Sequence, residues 1–545
     1  MMYDLLIKNG YVVDGRGDPE PFVPWQKADI AIRDKRIAKI GVVNDSEARE
    51  IIDANGMIVA PGFIDIHSHS DGYLLDNPKA ESKIRQGITT EVVGNCGMSA
   101  APVGGTYRPS KSILPDPKRD WSTMGDYLKE LEETGISVNV VPLIGHSNIR
   151  GIVMGYENGH PSHDQLARMK EVLEEALDSG AWGMSAGLIY PPGSFSSTEE
   201  LIELCKVVER HNGVFHIHMR GQGDRLIAAT MEALEIAERA GVPLHILHHK
   251  GMGDSNAPKI MFTLSLIEEA ITRGVNVTLD MYPYPAGQGG LAMFLPLWVH
   301  EGGPKALIER LKDHALREKI KREMMEPELV PGYQSYAREL GWNDCWGKVL
   351  ICDCKSEKNK GLIGKSIAEA KPDWQEPVDF VMDLLIEEEG DVPVVIPDFI
   401  NVGEKYLEIV LRHPITMFGT DGYALAPYGP FGGGVPHPRS YGAFPRILGR
   451  YVRQKRLFTW HEAIRKMTTL PARFLGIRDR GEIKEGAYAD VVIFDPNSVI
   501  DRATFSDPHQ YPEGIKYVIT NGTIVIRDGE HTGALPGKVL RHDTG

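Results

Sequence analysis

A chain of 545 residues is too long for one ordinary domain, and 42% hydrophobic with 25% charged residues is the composition of a folded globular protein. The formal net charge of -15 argues against nucleic acid or an anionic membrane surface as a partner, and no apolar run reaches the roughly 18 residues needed to span a bilayer. The five cysteines are few and odd in number, unlike a disulfide framework, and the opening Met1-Met2-Tyr3-Asp4 has no signal-peptide features, so a cytoplasmic location is expected.

Residues 4 to 60 read as short strands. Leu5 to Lys8 and Tyr11 to Asp14 flank Asn9-Gly10, a hairpin signal because both turn positions need positive φ. Ile30, Ile32, Ile37 and Ile40 mark a strand pair around Asp34 to Arg36, and Met57 to Ala60 follows a second Asn-Gly. The far end repeats this style, with Val491 to Phe494, then Tyr517 to Ile519 and Ile524 to Ile526 around Asn521-Gly522. Neither end supplies enough strands for a convincing sheet, so residues 1–61 and 481–545 are expected to combine into one small β-sandwich domain.

Between the ends, strands alternate with helices. The expected strands are Gly62 to Ile66, Thr89 to Val93, Val138 to Ile144, Trp182 to Ser185, Val214 to His218, Leu244 to His248, Val275 to Leu279 and Ile415 to Gly419. Helices are expected over Lys79 to Arg85, Asp164 to Leu177 (with a capping box from Ser162 to Gln165), Glu199 to Arg210, Leu226 to Ala240 and about Glu404 to Arg412. Eight such units predict an α/β fold, a (β/α)8 TIM-type barrel over 62–285 and 398–480, with its active site at the carboxyl ends of the strands. Residues 286–397 break the rhythm after strand seven, with helices at Lys305 to Met324 and Val378 to Glu388. That block reads as an insertion that covers the site as a lid.

At the carboxyl ends of the strands stand His67 and His69, Cys96, His218, His248 and Asp421. Alone, each histidine reads as a hydrogen-bonded structural group and the cysteine as a small buried hydrophobe. Converging on one rim, they read as a metal centre, because imidazole and thiolate are ligands that Zn²⁺ prefers. Cys345, Cys352 and Cys354, with no nearby histidine, make a poor ligand set.

The segment Pro61-Gly-Phe-Ile-Asp-Ile-His-Ser-His-Ser-Asp71 resembles the first-strand signature of the amidohydrolase superfamily. Within it, Val93-Gly-Asn-Cys-Gly97, Ser185-Ala-Gly-Leu-Ile-Tyr-Pro191, His216-Ile-His-Met-Arg220, His248-His-Lys250, Asp280-Met-Tyr-Pro-Tyr284 and His437-Pro-Arg439 resemble the N-acyl-D-amino-acid deacylases, or D-aminoacylases. The likeness runs to Gly533-Ala-Leu-Pro-Gly-Lys-Val-Leu-Arg541. It implies zinc-dependent hydrolysis of a small-molecule N-acyl-D-amino acid. Cys96, His218 and His248 would hold a tight zinc, and His67 and His69 with Cys96 a weaker second one. His248 is preferred to His249, and His218 to His216, which shares its strand face but lies deeper. Asp421 would be the general base and Tyr190 the donor to the developing oxyanion. For the substrate carboxylate the candidates are Lys250, Tyr282, Arg220 and Arg439, of which the first two carry over best.

Two rivals predict different residues. A cyclic-amide hydrolase of the dihydropyrimidinase or hydantoinase type calls for a lysine on strand four, and Trp182-Gly-Met-Ser-Ala186 has none. A non-catalytic scaffold on the same fold calls for lost ligands, and none is lost.

Overall fold

A computed structural model describes residues 2–17, 26–330 and 332–543; the parts of the expected end domain at residue 1, 18–25 and 544–545, and of the insertion at 331, lie outside the described residues. The N-terminal segment supplies β1 (Tyr3–Val12), β2 (Gln26–Arg33), β3 (Arg36–Gly41), β4 (Ala48–Asp53) and β5 (Ile58–Pro61). Asn9-Gly10 is not a hairpin turn. The strand runs through it, and the register against β2 shifts between Ile7 and Gly10, with Asn9 at φ 62°. A Cβ at Gly10 would lie 2.3 Å from Val59, so close packing of β5 against β1 requires the glycine there. By contrast Asp34-Lys35, both at positive φ, turn β2 into β3 as expected.

Eight parallel strands follow the expected positions. They are β6 (Phe63–Asp65), β7 (Ile88–Val93), β8 with β9 (Asn139–Pro142, Ile144–Gly145), β10 (Gly183–Gly187), β11 (Val214–His218), β12 (Leu244–Ile246), β13 (Val277–Met281) and, after a long interval, a last strand at Thr416–Phe418. Two parallel sheets result: β6–β7–β8, and β9 through β13 ending on the last strand. They abut at Leu143, whose N–H bonds Val93 at 3.0 Å. At the other extreme Ser68 bridges Gly422 in the parallel sense, His69 N–H bonds Gly422 O at 2.9 Å and Asp421 N–H bonds His67 O at 2.7 Å. These strands are buried along their whole length, which explains their runs of Val, Ile, Leu and Met.

Helices lie between the strands. His163–Asp178 opens on the expected capping box of Ser162 and Gln165, and Leu226–Ala240 ends at Gly241 in the left-handed conformation. In the interval before the last parallel strand, β14 (Ala286–Gly290), β15 (Leu350–Ile351) and β16 (Pro393–Pro397) form a separate antiparallel sheet. Around it a second apolar cluster gathers Phe294, Tyr336, Trp346, Phe380, Leu385 and Ile396. The single helix expected from Lys305 to Met324 is two, Gly303–Lys312 and His314–Met325. Asp313 breaks it by accepting the N–H groups of Ala315 and Leu316 at 2.8 and 3.1 Å, so the side chain starts a new helix.

With the last parallel strand as β17, the chain closes through β18 (Val491–Phe494), β19 (Ile515–Thr520), β20 (Thr523–Arg527) and β21 (Glu530–His531). These join the N-terminal strands in one nine-stranded sheet, β21–β20–β19–β18–β5–β1–β2–β3, with β4 also on β1. The two ends of the chain therefore build one sheet, with Leu5, Ile7, Ile32, Ile52, Val491 and Ile519 in its own core. Among the described residues, no helix is long and apolar enough to cross a membrane.

Candidate metal centre and active site

The loop after β7 carries the most constrained donor. In Gly94-Asn95-Cys96-Gly97, both glycines and Cys96 have positive φ. A Cβ on Gly94 would lie 2.1 Å from Leu143 O, and one on Gly97 2.4 Å from Gly187 N, so the loop is wedged between neighbouring strand ends. Asn95 fixes it from within, donating to Val92 O at 2.9 Å and meeting His216 Nδ1 at 2.8 Å. His216 is thus packed beneath the donors, and burial holds its pKa well below the ordinary value.

Around Cys96 Sγ lie His67 Nε2 at 3.4 Å, His218 Nδ1 at 3.7 Å and His248 Nε2 at 3.7 Å. The donors fall into two compact sets that share the thiol: Cys96, His218 and His248, and His67, His69, Cys96 and Asp421, each with its atoms within 4.8 Å of one another. A tetrahedral zinc with bonds of about 2.0–2.3 Å spaces its ligands about 3.3–3.8 Å apart. The thiolate and imidazole spacing fits that. His249, by contrast, points away to Thr263 Oγ1 at 2.9 Å.

The charges fit a cation as well. Burial by itself would push the Cys96 thiol up, but His67, His218 and His248 outweigh it and hold its pKa well below the usual value. Burial opposes the ionised form of Asp421 too; Arg439, His67 and His69 overcome it and keep the carboxyl well below the usual carboxylate range. His69 meets Asp421 Oδ1 at 3.0 Å, and although burial pulls its pKa down, Asp421 and Cys96 raise it to about 9. Two buried anions therefore draw positive charge to this spot, which a divalent ion would supply. Cys96, His248 and Asp421 also share left-handed backbone at φ 52°, 33° and 49°, a conformation that these residues rarely adopt and that packing must impose.

Sequence reasoning gave no role to a carboxylate that holds two members of this set. Asp280, buried on β13, meets His67 Nδ1 at 3.1 and 3.2 Å and His245 Nε2 at 2.9 Å, and accepts the N–H of His248 at 3.0 Å. One lone carboxylate in Val-Thr-Leu-Asp-Met was the signal. Asp280→Asn is expected to weaken zinc binding about 10–100-fold while the fold persists, measured by chelator competition. Also unforeseen was Gln222, whose amide lies 2.9 Å from His248 Nδ1. Below the site, Lys83 Nζ bonds Asp65 at 2.8 Å, Ser68 at 3.0 Å and Thr420 at 2.6 Å, tying the first strand end to the last.

The donors open into a cavity of about 290 Å³ lined also by Tyr190, Lys250, Tyr282 and Arg439. Tyr190 packs edge-on against His218, with ring centroids 5.2 Å apart, and burial keeps its hydroxyl protonated. Tyr282 is a platform under both cations, with Lys250 Nζ and the Arg439 guanidinium each 4.7 Å from its ring centre. Lys250 also hydrogen-bonds the Tyr282 hydroxyl and lies 3.2 Å from the buried Asp398. Arg439 donates to Asp421 Oδ2 at 2.6 Å. Arg220 is not brought to the site. Its guanidinium is spent on Glu232 at 2.9–3.2 Å and on the carbonyls of Ser194 and Ser196 at 3.0 Å. Residues between β14 and β16, including Met293, Leu307 and Tyr336, complete the wall.

Residues 50–280 and 406–526 match the model of the amidohydrolase family, and the protein is a metal-dependent amidohydrolase. Within that class it is 35% identical to a D-aminoacylase of Alcaligenes xylosoxydans xylosoxydans over 99% of this chain and 97% of that one. An N-acyl-D-glutamate deacylase of Bordetella bronchiseptica, solved with zinc and a phosphonate mimic of the tetrahedral intermediate, is 32% identical with a TM-score of 0.81; the match covers 99% of this chain and all of that one. A solved D-aminoacylase, described as having a binuclear metal centre with one-metal activation and second-metal attenuation, is 33% identical with a TM-score of 0.81 over the same shares. The chain belongs to the D-aminoacylase, or N-acyl-D-amino-acid deacylase, family of the amidohydrolase superfamily.

Proposed function

We propose that this enzyme hydrolyses the amide of N-acyl-D-amino acids to a carboxylate and a free D-amino acid. The observation that carries the reading is the meeting, in one cavity, of the Cys96 donor set, the ionised Asp421 and the cation Lys250. Cys96, His218 and His248 would hold the tight zinc, and His67 and His69 with Cys96 the weaker second one. A zinc ion there supplies Lewis acidity, lowering the pKa of a bound water to about 7. Asp421 accepts the proton of the attacking water and returns it to the departing amine. Arg439 keeps that carboxylate ionised between turnovers. Tyr190 donates to the oxygen on which negative charge develops. Lys250, seconded by Tyr282, takes the substrate carboxylate; Arg439 adds positive charge nearby, and Arg220 has no part.

The same reading extends to the fold. The eight parallel strands close as a (β/α)8 barrel over 62–285 and 398–480, supported by the pairing of Ser68 with Gly422. Residues 1–61 with 481–545 form the β domain, and 286–397 the lid, which its share of the cavity wall supports.

The test is a panel of N-acetyl-D- and N-acetyl-L-amino acids with zinc-loaded and chelated enzyme. Hydrolysis confined to D forms and abolished by chelation is expected; equal use of both enantiomers would overturn the reading. Lys250→Met is expected to raise KM by about 10–100-fold, the worth of a charged hydrogen bond, with little change in kcat.

A further inference from the structure

Similarity does not choose the amino-acid side chain, because a D-aminoacylase and an N-acyl-D-glutamate deacylase resemble this chain equally, at 33% and 32% identity and TM-scores of 0.81. The cavity does choose. Resting on the deacylase reading above, we infer that this site accepts an apolar, uncharged D side chain and rejects those of D-glutamate and D-aspartate.

A substrate with an acidic side chain carries two carboxylates and needs two cations. Apart from the metal-site histidines, the cavity offers Lys250, Arg439 and His300. Arg439 is already committed to Asp421 at 2.6 Å, and Lys250 to Asp398 at 3.2 Å. The α-carboxylate claims Lys250, so a second anion would have to share Arg439 with the ionised Asp421, whose charge repels it. Burial pushes His300 down to about 4, so it is neutral near pH 7.

Besides neutral polar groups such as Ser110, Ser112, Gln222 and Gln288 and the acidic Asp391, the wall has a broad apolar stretch of Met98, Ile189, Met252, Met293, Leu307 and Ile396. A carboxylate laid on it would be desolvated without a partner, a far larger loss than a poor apolar fit. Farther out, Lys111, Lys355 and Lys360 line an adjoining cavity that shares Ser112, Gln288, Asp391, Pro393 and Tyr423 with the first. All three are exposed, and Lys355 and Lys360 are paired with Glu389 and Asp353. Water screens them, and Asp391 stands on the shared wall, so they offer an acidic side chain little.

D-Methionine, D-glutamine and D-glutamate have side chains of nearly equal length, so their N-acetyl derivatives separate polarity from charge. With the zinc-loaded full chain, kcat/KM is expected to fall in that order, by about 100-fold or more from methionine to glutamate. A glutamate derivative used as well as the glutamine one would overturn the inference. Met293→Lys places a cation on the apolar wall. It is expected to raise the glutamate-to-methionine ratio at least about tenfold, and an unchanged ratio in a variant of unaltered Tm counts against the assigned wall. Thermal shift adds a readout without turnover. N-Acetyl-D-methionine should raise Tm and N-acetyl-D-glutamate should not. That pattern with no hydrolysis would keep the inference and sink the deacylase reading, whereas equal shifts, or none with the methionine compound, would sink the inference.

Discussion

Cys96→Ala is expected to lose zinc and about 10³-fold or more in kcat/KM, the largest effect of any single substitution in this protein. The reason is topological as well as chemical. Cys96 Sγ is the one atom common to both donor sets, so its removal opens both sites at once. Loss of His69 would touch only the set that contains Asp421. The loop itself should survive, because its shape depends on Gly94, Gly97 and the Asn95–His216 contact rather than on the thiol. Zinc content of the purified variant, measured beside kcat/KM and Tm, checks this. A variant with full activity would show that the thiol is not a ligand.

Asp421→Asn should behave differently. The amide keeps the size and the contact with Arg439 but cannot accept a proton, so kcat should fall by about 10²–10⁴-fold. Zinc should remain on Cys96, His218 and His248, which do not include this residue. KM should change little, since Lys250 and Tyr282 are untouched. A variant that kept kcat but lost metal would recast Asp421 as a ligand alone.

Much of this was legible in the sequence because parallel strands are buried on both faces and leave unbroken apolar runs. All eight appear within a few residues of their expected positions. The donors were legible because each follows such a run. What sequence concealed was partnership. Arg220 and Arg439 look alike as arginines in family-like motifs, yet Glu232 consumes one and Asp421 receives the other. Asp398, the counter-ion of Lys250, comes directly after β16, far from the motifs, and nothing local marks it. Asn9-Gly10 misled for a related reason. Its sequence fits a tight turn, but the two positions also suit a bulge, and contact with Val59 and Asp53 settles which forms. Local pattern reports which face a residue takes, and tertiary contact decides whom it meets.

The nine-stranded sheet has a consequence in time. Only Gly62 separates β5 from β6, and β5 pairs with β18, Pro61 opposite Val491 and Ile58 opposite Phe494. During synthesis β5 emerges before the parallel strands that follow it, and its partner β18 after them. Until then that edge of β5 lacks its partner. A ribosome that stalls before residue 491 therefore leaves that strand edge unpaired, for chaperones to guard.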